Sequence, residues 1–145
     1  MSQLRDIVPG ASAWPRFIRN VSSRYEARLC MVEVQESPSL FLDGMAGARV
    51  PIVVAHGEGH AAGAGADAVT AVRYIDTYGK VTEHYPLNPS GSADGVCGLS
   101  SADGRALIMM PHPERIALGT QHTWTRELKS SPWQRMFENA RKWVG

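Results

Sequence analysis

The chain has 145 residues, the length of one domain, with 20% charged residues and a formal net charge of +1. Lysine and arginine are scattered, and no apolar run approaches the roughly 18–20 residues of a membrane span, so we expect neither a nucleic-acid partner nor a membrane partner. Two cysteines, Cys30 and Cys97, are too few for a disulfide scaffold and fit a reducing compartment, which predicts a cytoplasmic protein.

The N-terminus carries apolar residues at helical spacing. Met1, Leu4, Ile7 and Val8 predict a short helix that Pro9-Gly10 ends. An isolated helix of this length is marginal unless it is packed. Two interpretations stay open: the chain begins inside a longer helix, or a short helix precedes a complete domain.

Two strands are predicted in the first half. Residues 27–34 (ARLCMVEV) are strand-like, and residues 50–55 (VPIVVA) form a continuous apolar run typical of a strand buried on both faces. Between them, Ser37-Pro38 predicts the start of a short helix that ends at Gly44.

The second half begins with a predicted hairpin over residues 70–76 and 81–85. Residues 105–110 (RALIMM) predict another buried strand. The last element is an amphipathic helix with Ser131 as its cap, Pro132 in its first turn and an apolar stripe from Trp133 to Val144. Strands and helices that mix in this way predict an α/β sheet with functional residues at the C-terminal ends of its strands.

A candidate catalytic pair follows the predicted strand 105–110, in Pro111-His112-Pro113-Glu114-Arg115. The prolines favour an extended backbone, on which residues two apart point to the same side. A carboxylate at Glu114 can then orient the imidazole of His112 and stabilise its protonated form, as the base and its orienting group do in a nucleophilic triad. The alternative is that the prolines only end a buried strand, which His112 caps.

A glycine-rich segment, His56-Gly57-Glu58-Gly59-His60, follows the strand at 50–55. Alternate glycines allow close approach of the backbone to a ligand, and backbone N–H groups there can hold a carboxylate. The alternatives are a solvated turn or a metal site, and the metal site would need a third protein ligand. We predict no metal here.

The remaining polar segment and the cysteines offer weaker candidates. Residues 88–92 (NPSGS) are most simply a surface loop. Cys30 lies among apolar residues in a strand, and Cys97 has no strand-to-helix elbow after it. Neither setting lowers a thiol pKa as a nucleophile requires, so neither cysteine is predicted to be catalytic.

Taken together, these segments resemble the glutaminase domain of phosphoribosylformylglycinamidine synthase of the large single-chain type. The resemblance runs over nearly the whole chain, in the order of the family, through Trp14-Pro15-Arg16-Phe17, Tyr25-Glu26-Ala27-Arg28, Ser37-Pro38-Ser39-Leu40, His56-Gly57-Glu58-Gly59, Leu87-Asn88-Pro89 with Gly91-Ser92, residues 109–115, and residues 133–145.

The resemblance implies a class I glutamine amidotransferase fold, which is flavodoxin-like, with an open and mostly parallel sheet. It implies a Cys–His–Glu triad in which His112 and Glu114 are the catalytic residues found here. In the family, the cysteine elbow precedes the segment that matches Met1. We therefore expect residues 1–145 to be the C-terminal portion of the domain, without the N-terminal strands and the nucleophile elbow.

The implied enzyme takes ammonia from glutamine and uses it in an ATP-dependent conversion of formylglycinamide ribonucleotide to its amidine, in purine biosynthesis. Glutamine and the synthetase domain of the same enzyme are the implied partners. ATP and magnesium belong to that synthetase domain, and no cofactor is expected in this chain. His56, Gly57, Glu58 and Gly59 match a family segment that lines the glutamine pocket.

Two departures from the family stand out. His60 replaces the usual arginine, and the stretch after Gly59 is shorter and rich in alanine and glycine. An alternative function is therefore a truncated, non-catalytic module that binds a partner. Such a chain, with an exposed sheet edge and apolar face, is expected to dimerise or to be poorly soluble alone.

Overall fold

Seven β-strands and one α-helix make up the described part of the chain, which is residues 4–122 and 129–145 of a computed structural model. The strands are β1 (Arg16–Ile18), β2 (Glu26–Val34), β3 (Arg49–His56), β4 (His60–Ala62), β5 (Val69–Tyr74), β6 (Val96–Ser100) and β7 (Leu107–Met109). The helix, α1, covers Gln134–Val144. Short 3₁₀-helices cover Leu4–Asp6, Leu40–Leu42, Ala93–Gly95, Pro113–Ile116 and Gly119–Gln121.

The two predicted strands of the first half are confirmed as β2 and β3, the longest strands. They pair with each other in an antiparallel register that runs from Glu26 opposite His56 to Glu33 opposite Arg49. On β3 the buried residues alternate with half-buried ones, beginning at Val50 and ending at His56. The prediction that this strand is buried on both faces was therefore wrong, because only one of its faces is fully buried.

The main sheet has five strands in the order β3-β2-β5-β6-β7, and every pairing in it is antiparallel. The expected mostly parallel, flavodoxin-like sheet is therefore wrong for the described residues, although the α/β class is right. A parallel neighbour needs a crossover of a dozen or more residues, usually a helix. Among the described residues the single α-helix follows all the strands, and only short 3₁₀-helices lie between them.

The sheet curls until its two ends meet. The chain leaves β7 at Met109, and His112 then donates its backbone N–H to the carbonyl oxygen of Val53 on β3, at 2.7 Å. Since β3 and β7 are the opposite edges of the sheet, this bond joins the end of one edge to the middle of the other. The C-terminal end of β7 is thereby fixed beside β3.

The core lies on the inner face of this curled sheet. Its buried side chains come from every long strand and include Cys30, Val32, Ile52, Val54, Val72, Tyr74 and Cys97. A smaller cluster around Trp14 and Leu99 packs against a second sheet, in which β1 and β4 pair antiparallel. Among residues 4–122 and 129–145, no helix is long and apolar enough to cross a membrane.

Three other predicted elements are shorter than the sequence pattern indicated. The N-terminal helix is one 3₁₀ turn, Leu4–Asp6, and residues 1–3 lie outside the described part. The helix expected after Ser37-Pro38 is the turn Leu40–Leu42. The predicted hairpin keeps β5, but its second arm has a single bridge, from Ile75 to Val81.

The C-terminal helix is confirmed, although its N-cap residue is Trp133 and not the predicted Ser131. The same tryptophan anchors the start of the helix. Trp133, just before α1, is fully buried and donates its indole N–H to the carbonyl oxygen of Pro51 at 2.7 Å. Asn139 of α1 donates to the carbonyl oxygens of Phe41 and Asp43, at 3.1 and 2.8 Å. The predicted apolar stripe is only partly covered, because Trp143 near its end is 55% exposed.

The two tryptophans of this segment form a matched pair for a stability test. We expect Trp133→Ala to lower the free energy of unfolding by about 3–5 kcal/mol, because it leaves a cavity in the core and an unpaired carbonyl at Pro51. Trp143→Ala loses an exposed ring that Arg105 covers at 5.1 Å, and should cost about 1 kcal/mol or less. Urea unfolding followed by circular dichroism measures both, and equal losses would contradict this account of the helix.

Candidate functional site

His112 and Glu114 form a hydrogen-bonded pair at the end of β7. The Nδ1 atom of His112 lies 2.7 Å from Oε1 of Glu114, and the side chains are 30% and 54% exposed. Because a carboxylate only accepts, Nδ1 carries the hydrogen, and Nε2 is the basic atom of the neutral ring. Nε2 has no hydrogen-bond partner among the described residues. This arrangement gives an oriented imidazole base with one free nitrogen.

The local backbone differs from the predicted extended chain. Pro113 begins the 3₁₀-helix Pro113–Ile116, and His112 is its N-cap residue with extended φ and ψ of −111° and 90°. Proline is well suited to the first position of a helix, where its missing N–H is not needed. The turn, rather than an extended segment, therefore carries Glu114 back to the ring of His112.

An open cleft of about 570 Å³ adjoins the pair. Apart from His112 and Glu114 its lining is apolar: Leu4, Phe41, Leu107, Ile108, Met109, Pro111, Pro113, Met136 and Phe137. Neither cysteine is among the lining residues. The cleft thus combines a proton-transfer pair with a wall suited to apolar contact.

The His56–Gly59 segment lies at the end of β3, outside this cleft. The backbone of Val53 is the part of β3 that His112 contacts. Since Val53 and His56 are three residues apart on this strand, their side chains point to opposite faces of the sheet. The ring of His56 is 5% exposed, whereas the side chain of Glu58 is exposed. Burial lowers the pKa of His56, and the nearby His112 acts in the same direction.

Asn20 organises this segment, and the sequence pattern gave no indication of it. It is 2% exposed, and its Oδ1 accepts the backbone N–H of Gly59 at 2.9 Å and lies 3.0 Å from Nδ1 of His56. Its backbone N–H donates to the carbonyl oxygen of Gly57 at 2.8 Å. A lone asparagine in a polar stretch is a signal that ordinary loops share, so sequence reasoning had no reason to select it.

Residues 88–92 are not the surface loop that the sequence favoured. Asn88, Ser90 and Ser92 are at most 1% exposed. The Asn88 amide donates to the carbonyl oxygens of Thr82 and Ser92, and its oxygen accepts from Ser90 Oγ and the Gly91 N–H. The loop supports the neighbouring segments, since its backbone and Ser92 accept hydrogen bonds from the N–H groups of residues 21 and 61.

Both cysteines lie in the core, and neither lines the cleft beside the His112 pair. Cys30 is 6% exposed and Cys97 is 1% exposed. Burial raises the pKa of Cys30 to about 12 and the pKa of Cys97 well above its ordinary value. A thiol in this state is not a nucleophile at neutral pH.

Metal ligands do not gather in the part of the chain that the structure describes. No group of three or more histidine, cysteine, aspartate or glutamate side chains there is placed to hold an ion. In the His56 segment, Nδ1 of the ring is already engaged by Asn20.

Comparison with known proteins assigns the chain to a family. A family model described as a CobB/CobQ-like glutamine amidotransferase domain matches residues 1–144. Among solved structures, the chain is similar to "Structure of PurLQS from Thermotoga maritima", with a TM-score of 0.67 and 20% sequence identity. The match covers 90% of this chain and 53% of that one, so the chain spans about half the length of that relative. Since the family model covers nearly every residue, this protein belongs to the CobB/CobQ-like glutamine amidotransferase family.

Proposed function

We propose that this chain is the glutaminase portion of a phosphoribosylformylglycinamidine synthase, in which it supplies ammonia from glutamine. The synthetase domain of that enzyme uses the ammonia with ATP and magnesium to convert formylglycinamide ribonucleotide to formylglycinamidine ribonucleotide, in purine biosynthesis. The observation that carries the proposal is the 2.7 Å contact between His112 Nδ1 and Glu114 Oε1, in a chain of the glutamine amidotransferase family. The motifs spread along the sequence support the more specific assignment.

In this mechanism His112 is the base and Glu114 orients it. Nε2 of His112 takes the proton of a cysteine thiol, and the thiolate attacks the side-chain carbonyl carbon of glutamine. When the C–N bond breaks, His112 gives the proton to the leaving ammonia. The loss of ammonia leaves a γ-glutamyl thioester. A water that gives its proton to His112 then attacks the thioester, which releases glutamate and the thiolate, and His112 returns the proton to that thiolate. Glu114 stabilises the imidazolium that forms at each stage.

In this proposal the thiol is that of neither Cys30 nor Cys97, because both are buried in the core and neither lines the cleft. The chain alone is therefore expected to be inactive towards glutamine.

The second candidate function, a non-catalytic module that binds a partner, is favoured by the same cleft. Its wall is apolar, and Leu4 and Phe137 in it are 42% and 46% exposed. Apolar area of this kind suits a packed polypeptide better than the polar glutamine molecule. Glutaminase activity of the complete enzyme decides between the two functions, since a binding module would show none.

The His56–Gly59 segment is proposed to contact glutamine. His56 and Gly59 are buried, so the backbone at Gly57 and the exposed carboxylate of Glu58 are the groups that a ligand can reach. The support for this assignment is the resemblance of the segment to the family.

Replacing Glu114 in the complete enzyme tests the proposal. We expect Glu114→Gln to lower glutamine-dependent amidine synthesis by about 10²-fold or more, because the neutral amide no longer stabilises protonated His112. Synthesis with ammonium chloride in place of glutamine should be unchanged, since it bypasses the glutaminase step. Steady-state rates with the two nitrogen donors give the ratio.

The matched control is Glu138→Gln, which removes an exposed carboxylate of α1 that does not line the cleft and should leave both rates unchanged. Full glutamine-dependent activity in Glu114→Gln would contradict the role of Glu114 as the group that orients His112. A complete enzyme with ammonia-dependent but no glutamine-dependent activity would favour the binding module.

The cysteines give a second prediction. At neutral pH, iodoacetamide should leave both thiols of the folded chain unmodified, because burial keeps them protonated and covered. In guanidinium chloride both should react, giving two adducts by intact mass. Glutamine-protected labelling of Cys97 in the folded chain would show that the chain supplies its own nucleophile.

A further inference from the structure

The side-chain amide of Asn20 uses all of its hydrogen-bonding capacity, and three of its four bonds go to the His56–Gly59 segment. Nδ2 donates to the carbonyl oxygens of His56 and Arg24, at 2.8 and 3.0 Å. Oδ1 faces the N–H of Gly59 and Nδ1 of His56. An amide has two donor hydrogens and two acceptor lone pairs, so all four are engaged in a residue that is 2% exposed.

This pattern fixes which nitrogen of His56 carries the hydrogen. Carbonyl oxygens only accept, so Nδ2 must be the atom that faces them, and Oδ1 must face Gly59 and the ring. Because Oδ1 only accepts, Nδ1 of His56 must be its donor. The neutral ring is then the Nδ1–H tautomer, with Nε2 unprotonated.

The surroundings keep the ring in this neutral form. Nε2 is buried and has no hydrogen-bond partner among the described residues, so a proton there would be an unpaired buried charge. The carboxylate opposite, Glu26, is already held by Ser22 Oγ at 2.6 Å and by the guanidinium of Arg28. The charge of Glu26 is therefore compensated without a proton on His56.

Gly59 packs closely against the ring of His56. A Cβ added to Gly59 would lie 2.0 Å from Cε1 and 2.4 Å from Nε2 of the His56 ring. No side chain fits in that space, and the close approach lets the Gly59 N–H reach Asn20. Asn20 and the backbone of Gly59 thus hold the ring from two sides.

We propose that Asn20 is a positioning residue of the glutamine site. It holds His56 in the Nδ1–H tautomer and fixes the turn that presents Gly57 and Glu58 to an amino-acid substrate. The tautomer follows from the hydrogen-bond geometry alone, whereas the role towards glutamine rests on the proposed function.

Asn88 supplies a matched control. Its buried amide makes the same set of four bonds, two donated to carbonyl oxygens and two accepted, but in the neighbouring loop and without contact to His56. Asn88→Ala and Asn20→Ala therefore remove comparable buried hydrogen bonds. A change that is seen only with Asn20→Ala reflects the His56 segment rather than general destabilisation.

Ring-nitrogen NMR of the ¹⁵N-labelled chain tests the tautomer, because two-bond ¹H–¹⁵N correlations separate protonated from unprotonated imidazole nitrogens. The signals of His56 are identified as those that disappear in His56→Gln. We expect Nδ1–H in the wild type, a shift towards Nε2–H in Asn20→Ala, and no change in Asn88→Ala. Asn20→Asp keeps both acceptor contacts and should keep the Nδ1–H form. An Nε2–H ring in the wild type, or an unchanged ring in a folded Asn20→Ala, overturns the proposal.

Kinetics of the complete enzyme test the role towards glutamine. Asn20→Ala should raise the KM for glutamine about tenfold with little change in kcat, since it loosens a binding segment and not the proton-transfer pair. Asn88→Ala should leave this KM unchanged. An unchanged KM in Asn20→Ala alongside an altered tautomer overturns the positioning role. A wild-type enzyme without glutaminase activity overturns the proposed function instead, and the tautomer result still stands.

Discussion

The hydrogen bond from the N–H of His112 to the carbonyl oxygen of Val53 is the constraint on which the candidate site depends. It joins the two edges of a curled antiparallel sheet, and it fixes the backbone of His112 at the point where the chain turns. Pro113 then begins a 3₁₀ turn that carries Glu114 to the imidazole. Without this bond His112 would follow a free strand end, and its ring would have no fixed direction relative to the cleft.

A second framework, made of buried polar groups, supports the other end of β3. Leaving a buried amide unpaired costs about 1–3 kcal/mol, so burial of Asn20 and Asn88 is tolerable only because all their donors and acceptors are engaged. The two amides act on adjoining loops, which are joined by the bond from the Val21 N–H to the Ser90 carbonyl oxygen. Fully satisfied networks of this kind rigidify the fold and specify a unique geometry.

The sequence correctly predicted the elements that depend mainly on residues close together in the chain. The apolar runs gave β2 and β3, the amphipathic stripe gave α1, and the Pro-His-Pro-Glu spacing correctly brought His112 and Glu114 together, although through a turn rather than extended chain. The strand direction and the burial of residues 88–92 were missed, because both depend on which segments meet far apart in the sequence. Asn20 and the His56–Gly59 segment it holds are 36–39 residues apart, and no short-range pattern encodes such a contact.

The exposure of the His112–Glu114 pair bears on how a glutaminase built on this fold would work. The two side chains are 30% and 54% exposed, so water stabilises each charge about as well as the opposite charge does. An ion pair in this setting contributes about 0–1 kcal/mol to stability. Covering the apolar cleft with a packed segment would remove that water and strengthen the attraction between carboxylate and imidazolium. A segment packed over this cleft would therefore hold the imidazole of His112 more firmly in the direction set by Glu114.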